Sequence, residues 1–301
     1  MKKLFVLMSS LVFAVGAAFL TPRPATASPA PPVAAVEYGT FKSPSLGKDV
    51  SYAVSLPPSY AAEPKRRYPV VIFLHGMFNS EKDWEARGIQ AALDQLRSSG
   101  KVGEYIVAIP RGENSFYINS KAGIRYEDAI VKDFIPFVDK TYRTTGSPKH
   151  RLIEGISMGG YGAMNIAFKY PDMFAGVATH CAALFIEPPG PPKSPDDRLG
   201  VWRYDMAKSL YGDPPDAAFF KANNPLDLAQ ANAAKIKKLK IYFDVGTEDR
   251  YKFDVGNKKL AEILTAAGVK HEFRLVSGKH GWEFLVAQSE PGFTFCWNAV
   301  K

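Results

Sequence analysis

From Val50 to Leu56 the chain alternates, with Val50, Tyr52, Val54 and Leu56 set between Ser51, Ala53 and Ser55 before Pro57 and Pro58 interrupt the pattern. A period of two predicts a strand with one covered face, and its place near the start of the pattern suits an antiparallel edge hairpin. Residues 68–74, YPVVIFL, are apolar without a break, which predicts a central strand covered on both faces. Short apolar runs follow at 105–109, around Leu152 and Ile153, and at 176–181, 240–245 and 270–276. Between them the period lengthens to that of a helix. Ile89, Leu93 and Leu96 fall on one face, as do Ile130, Phe134, Phe137 and Val138, and again Ala163, Ile166, Ala167 and Phe168. Pro136 is expected to kink the second of these helices. Further helices are expected around 259–267 and from Gly281 onward. Strands alternating with helices predict an α/β fold with a mostly parallel central sheet and helices on both faces.

One segment breaks this rhythm. Residues 185–224 are rich in Pro, Gly, Asp and aromatic side chains, including Trp202, Tyr204, Tyr211, Phe219 and Phe220. An irregular insertion of that length predicts a cap over a binding site, extending over about 185–230. The loop at 111–119, RGENSFYIN, follows a strand end and mixes aromatic with hydrogen-bonding groups, so it is expected to wall a substrate pocket.

The chemistry concentrates where strands end. Gly155, Ser157 and Gly159 form G-x-S-x-G between an apolar run and a helix, the arrangement that holds a serine on a sharp strand-to-helix turn. The flanking glycines leave room for strand and helix to cross, and the first N–H of the helix, that of Met158, is free to face a developing oxyanion. His75 and Gly76 end the 68–74 run, and the loop after them is placed to supply a second backbone donor. A serine hydroxyl needs a histidine to take its proton and an acid to orient that histidine. Two later strand ends offer them: Thr247-Glu248-Asp249 and Lys279-His280-Gly281-Trp282. Asp249 is the expected acid, with Glu248 its rival, and His280 the expected base. His150 and His271 fall at strand starts, His75 belongs to the oxyanion loop, and His180 is read as packing.

Composition changes this picture little. The 301 residues are 46% hydrophobic and 23% charged, enough for one large domain. Lys2 and Lys3 precede an apolar run at 4–20 and a small-x-small site at Ala25-Thr26-Ala27, the pattern of a secretory signal peptide cut after Ala27. This predicts a signal peptide at 1–27, a disordered Pro/Ala-rich lead-in at 28–36, a catalytic domain at 37–301, and a secreted or periplasmic address without stable membrane insertion. Loss of Lys2, Lys3 and Arg23 would lower the formal charge from +8 to +5, and the scattered basic residues do not define a nucleic-acid surface. Cys181 and Cys296, in an exported chain, permit one disulfide pinning the C-terminal tail. Neither has metal-ligand spacing, and the five histidines contain no H-x-x-x-H.

The stretches LHGMFNSEKDW, PRGENSFYIN, GISMGGYGAM, FDVGTEDRY and GKHGWEFL together resemble the esterase D group of α/β hydrolases, which includes S-formylglutathione hydrolases, feruloyl and enterochelin esterases and the antigen 85 acyltransferases. The resemblance covers almost all of 37–288. It implies an α/β-hydrolase fold, Ser157 as nucleophile, Asp249 as acid, His280 as base, and the N–H groups of Met77 and Met158 as oxyanion donors. It also implies no metal or organic cofactor. Phe116, Tyr117, Trp202 and Trp282 are the expected substrate contacts. Hydrolysis of a small-molecule or polysaccharide-linked carboxylic ester is the primary reading. GENSFY is similar to the GGxxSFY of antigen 85 but has Glu113 in place of a glycine, which leaves acyl transfer to a sugar or glycerol as the alternative. A non-catalytic binding protein on the same shell is the third, and keeping all three of Ser157, Asp249 and His280 argues against it. Oligomeric state is not legible.

Overall fold

The computed structural model describes Met1 and residues 35–194 and 196–301. The expected signal peptide, apart from Met1, and residues 28–34 of the expected lead-in lie outside the described residues. The chain divides into two units, Met1–Pro31 and Pro32–Lys301, and every element named below belongs to the second.

Eight strands form one sheet: β1 (Ala35–Ser43), β2 (Lys48–Leu56), β3 (Val70–Leu74), β4 (Ile106–Pro110), β5 (Arg151–Ile156), β6 (Gly176–His180), β7 (Lys240–Gly246) and β8 (Glu272–Val276), in spatial order β1-β2-β4-β3-β5-β6-β7-β8. The β1–β2 and β2–β4 pairings are antiparallel, and all the others are parallel. The edge hairpin is present, and its first strand begins at Ala35, two residues before order was expected to start. β2 is less half-covered than its alternation implied. Ala53 and Ser55 are fully buried; Ala53 enters the second core, on the opposite face from Tyr52 and Val54.

The unbroken apolar run of β3 has a direct explanation. Val70, Ile72 and Leu74 enter one core with the helices Met158–Lys169 and Phe253–Ala266, whereas Val71 and Phe73 enter a second with the helices Ile89–Ser98 and Ser289–Val300. A strand whose alternate side chains both meet helices has no polar face to show.

Three helical expectations change. Residues 126–142 were read as one kinked helix, but a π-helix at Ala129–Phe134 leads into an α-helix at Ile135–Thr141, with Pro136 in its first turn. Pro136 has no N–H for the carbonyl four residues back, and the widened turn just before it accommodates that loss. The cap is not irregular throughout: helices run at Arg198–Tyr211, Ala217–Asn223 and Pro225–Ala231. The first two start at side-chain caps: Asp197 accepts from the N–H of Gly200, and Asp216 from those of Ala218 and Phe219. The helix expected from Gly281 is two, Trp282–Ala287 and Ser289–Val300.

Because β3, β5, β7 and β8 are parallel, the turns that leave them gather along one sheet edge. Two of these turns are hydrogen-bonded to each other: Thr247 N–H donates to Val276 O at 2.8 Å and Glu248 N–H to Gly278 O at 2.9 Å. A Cβ on Gly246 would lie 2.2 Å from the Gly278 oxygen, so only glycine lets the two turns approach this closely. Among the described residues no helix is long and apolar enough to cross a membrane.

Candidate active site

Ser157 sits between β5 and the helix Met158–Lys169 with φ 56° and ψ −118°, a backbone conformation that costs energy for any residue with a Cβ. Three main-chain hydrogen bonds hold it there. Its N–H donates to His180 O at 2.9 Å, and its carbonyl accepts from Tyr161 and Ala183, each at 3.0 Å. The flanking glycines are sterically required. A Cβ on Gly155 would stand 2.3 Å from Gly159 O, and one on Gly159 would stand 1.9 Å from Leu74 O.

Beyond this turn the three residues singled out in the sequence meet. His280 Nε2 lies 2.9 Å from Ser157 Oγ, and His280 Nδ1 lies 2.8 Å from Asp249 Oδ2. Asp249 is 1% exposed, and its other oxygen accepts from Tyr251 N–H at 2.8 Å, so the carboxylate is fixed from behind. Glu248 points elsewhere, accepting from Ser277 Oγ at 3.2 Å on the exposed side, which separates the two candidate acids. The rings of Tyr251 and Phe253 meet the imidazole edge-on, with centroids at 4.9 and 5.4 Å. Neither aromatic neighbour was picked out from the sequence. The signal was Tyr251 two residues after the acid, inside a stretch already noted for the carboxylate.

Met77 and Met158 both line the cleft beside Ser157, and among the described residues neither main-chain N–H meets a protein acceptor. The loop carrying Met77 is secured by His75. Burial lowers the His75 pKa and keeps the ring neutral. Its Nε2 accepts from Gly112 N–H at 2.9 Å, which leaves Nδ1–H to donate to Gly76 O at 2.8 Å. The 111–119 loop therefore braces more than it walls. Tyr117 donates its hydroxyl to His75 O at 3.2 Å, and Asn114 Oδ1 accepts from Phe78 N–H at 2.8 Å. Glu113, Phe116 and Tyr117 all take positive φ to make this fold of the loop.

The cleft has a volume of about 340 Å³. Phe116, Trp202 and Trp282 line it, joined by Phe78, Tyr251 and Phe253. Tyr117 does not. Its ring is fully buried beneath the loop, against Gly112 and Gly162, so its expected contact with substrate is corrected to a bracing role. A second cavity of about 400 Å³ lies under the cap between Phe185, Arg203 and Lys252; it shares Phe253 with the first and does not include Ser157.

Two further sequence readings are decided by the packing around the sheet. Cys181 and Cys296 are both free and buried. Cys296 lies on the C-terminal helix against Glu154, 3.6 Å from its Oε2, and Cys181 belongs to a separate apolar cluster with Val245 and Phe284. No tail-pinning disulfide forms. Burial pushes the Cys181 thiol well above its ordinary pKa. His180, read as packing, is instead a fully buried ion-pair centre: Nδ1 lies 2.9 Å from Asp244 Oδ1 and Nε2 lies 3.1 Å from Glu154 Oε1. Burial alone would lower its pKa, but the Asp244 and Glu154 carboxylates outweigh that and raise it to about 10. Sequence offered no hint, because Glu154, His180 and Asp244 come from three different strands.

With this geometry in place, the likeness to known proteins is specific. The family model described as "Putative esterase" matches residues 43–288, and the chain belongs to that esterase family. The endo-1,4-beta-xylanase/feruloyl esterase of Xylanibacter ruminicola is 31% identical over 147 residues, covering 46% of this chain and 20% of that protein. The acetyl esterase of Caldicellulosiruptor saccharolyticus is 27% identical over 217 residues, 70% of this chain and 76% of that one. A solved ferulic acid esterase superposes with TM-score 0.74 at 26% identity, covering 88% of this chain and 98% of that structure. MPT51 of Mycobacterium tuberculosis, at TM-score 0.66 and 18% identity over 89% of this chain and 99% of that one, shares the fold. The fold is that of the α/β hydrolases.

Proposed function

We propose that this esterase is an exported serine carboxylesterase that works through an acyl-enzyme on Ser157, with His280 as base and Asp249 as its orienting acid. The observation that carries the reading is the continuous relay Ser157 Oγ, His280 Nε2, His280 Nδ1, Asp249 Oδ2, with links of 2.9 and 2.8 Å, opening into a cleft beside two backbone N–H groups that meet no acceptor among the described residues. Ser157 Oγ attacks the ester carbonyl while its proton passes to Nε2. The buried Asp249 carboxylate stabilises the imidazolium so formed. The carbonyl oxygen gains charge as the tetrahedral intermediate forms, and in this reading the N–H groups of Met77 and Met158 bind it, an arrangement worth about 3–4 kcal/mol per donor in related chemistry. His280 then protonates the departing alkoxide, and the same steps in reverse, with water as nucleophile, release the acid.

The cleft also bears on substrate class. A volume of about 340 Å³ is at the small end of ligand pockets, which supports a compact acyl group over a long chain. Its rings, Phe116, Trp202, Tyr251 and Trp282, suit a planar aryl group such as a hydroxycinnamoyl ester, and Arg87, Arg250 and Glu283 at the same cleft suit a hydroxylated alcohol such as a sugar. Export rests on the Lys2, Lys3 and apolar 4–20 pattern of the sequence. The test is turnover on chromogenic esters with acetyl, aryl and long-chain acyl groups, alongside labelling of Ser157 by a fluorophosphonate. Aryl and acetyl esters should be cleaved fastest; labelling of a different residue, or a preference for long acyl chains, overturns the reading.

A further inference from the structure

Cys181 is the residue beside the relay that ester hydrolysis does not use. It follows the last residue of β6, takes φ 45° and is fully buried. Its main-chain N–H is tied to Asp244 O at 2.8 Å, so this position is held against its own backbone preference. Its sulfur, a carboxylate oxygen of Asp249 and a ring nitrogen of His280 all lie within 4.8 Å of one another. The ring nitrogen that faces Asp249 is Nδ1. Sequence spacing could not reveal this set, since its members come from the ends of three strands.

We propose that Cys181, Asp249 and His280 form an inhibitory site for a zinc-class divalent cation, which switches the esterase off by fixing the wrong tautomer of His280. The inference rests on the assignment of His280 as base. A thiolate, an imidazole and a carboxylate are the donors that zinc takes, at about 2.0–2.3 Å each; to reach one ion the sulfur, within 4.8 Å of the other two atoms, would draw in by about 1 Å, while the His280–Asp249 pair, now 2.8 Å apart, would open by about 0.5 Å to the ligand spacing of a tetrahedral site. The thiol selects zinc or cadmium over magnesium or calcium, which prefer oxygen ligands alone.

The protons account for the effect. Binding releases the Cys181 S–H proton to solvent, and the sulfur binds as thiolate. The metal takes the Nδ1 lone pair, so the proton that Nδ1 shares with Asp249 in the working enzyme moves through solvent to Nε2. Nε2 then carries a hydrogen and has no lone pair for the hydroxyl proton of Ser157. The nucleophile stays in place but loses its base, and one proton is released for each cation bound. Onset is slow, because Cys181 and Asp249 lie behind the imidazole rather than in the open cleft.

The decisive experiment titrates the mature, metal-free protein with zinc and cadmium, with magnesium as control. Ester turnover and fluorophosphonate labelling of Ser157 are followed against each variant's own metal-free rate, and the ultraviolet thiolate-to-cadmium charge-transfer band is recorded in parallel. The expected result is time-dependent inhibition by zinc and cadmium, reversed by chelator, with one equivalent of cadmium producing the band. Cys181→Ser should remove the band and weaken inhibition by about tenfold or more, while Cys296→Ser keeps both. Absence of a band in the wild-type protein, a band that leaves Ser157 labelling unchanged, or equal inhibition of wild type and Cys181→Ser would overturn the proposal. Failure of the esterase reading looks different, as missing turnover and labelling before any metal is added, and the cadmium band still reports on the site in that case.

Discussion

The main-chain N–H of Ser157 donates to the carbonyl of His180 at 2.9 Å, and the side chain of that same His180 is clasped between Asp244 and Glu154. The strained serine turn is thereby tied to a buried imidazolium that joins β5, β6 and β7 just beneath it. The proton on His180 is held in the native protein up to about pH 10, whereas the unfolded chain releases it near the ordinary value of 6.5. The native state therefore binds more protons than the unfolded state between those values, and stability must fall as pH rises through that window. Unfolding free energies from urea titrations at pH 6 to 10 should decline, with a slope approaching about 1.4 kcal/mol per pH unit. His180→Gln should be less stable at pH 6 and should lose most of that decline; an unchanged slope in the variant would place the dependence elsewhere.

Ser157→Ala should remove ester hydrolysis by about 10⁴-fold or more and abolish phosphonate labelling, with the melting temperature little changed. The turn is held by main-chain hydrogen bonds that alanine retains, so only Oγ is lost. Wild-type turnover in the variant would exclude Ser157 as nucleophile.

The two neighbouring carboxylates should separate cleanly. Asp249→Asn should lower kcat by about 10⁴-fold, because an amide cannot stabilise the imidazolium and favours the wrong tautomer. Glu248→Gln, altering an exposed carboxylate that meets Ser277, should stay within about twofold of wild type. The reverse order would transfer the acid role to Glu248.

Gly159→Ala tests whether the elbow is a packing requirement. The added Cβ would stand 1.9 Å from Leu74 O and 2.7 Å from His75 O, both main-chain atoms that cannot swing aside. Loss of at least about 3 kcal/mol of stability, or failure to fold, is expected; a variant with a wild-type unfolding curve would show that the helix can shift away from β3.

Hydrolysis and acyl transfer share every step up to the acyl-enzyme and differ in what attacks it next. With an activated aryl ester and rising sugar or glycerol, free acid should remain the main product at millimolar acceptor, since water competes at tens of molar. Product analysis that finds mostly new ester under those conditions would identify an acyltransferase instead.

The sequence by itself determined the strands of the central sheet, the helices with a clear apolar face and the order of the chemical groups. These are local properties: the runs at β3, β5 and β7 are apolar because helices cover both faces, and G-x-S-x-G is glycine-flanked because a Cβ at Gly155 or Gly159 would strike backbone. It also carried Ser157, Asp249 and His280 in their order. What the tertiary structure decided were relations between residues far apart in the chain. Only the pairing of the two turns through Glu248 N–H and Gly278 O sets the Asp249 carboxylate, and not that of Glu248, against His280, and only the loop's return path puts Tyr117 under His75 rather than in the cleft. Cys181 and Cys296 permit a disulfide in one dimension and lie in separate apolar clusters in three. The buried clasp on His180 was invisible for the same reason: a histidine followed 64 residues later by an aspartate is unremarkable until parallel pairing of β6 with β7 sets them side by side, away from water, where charge pairing outweighs the cost of burial.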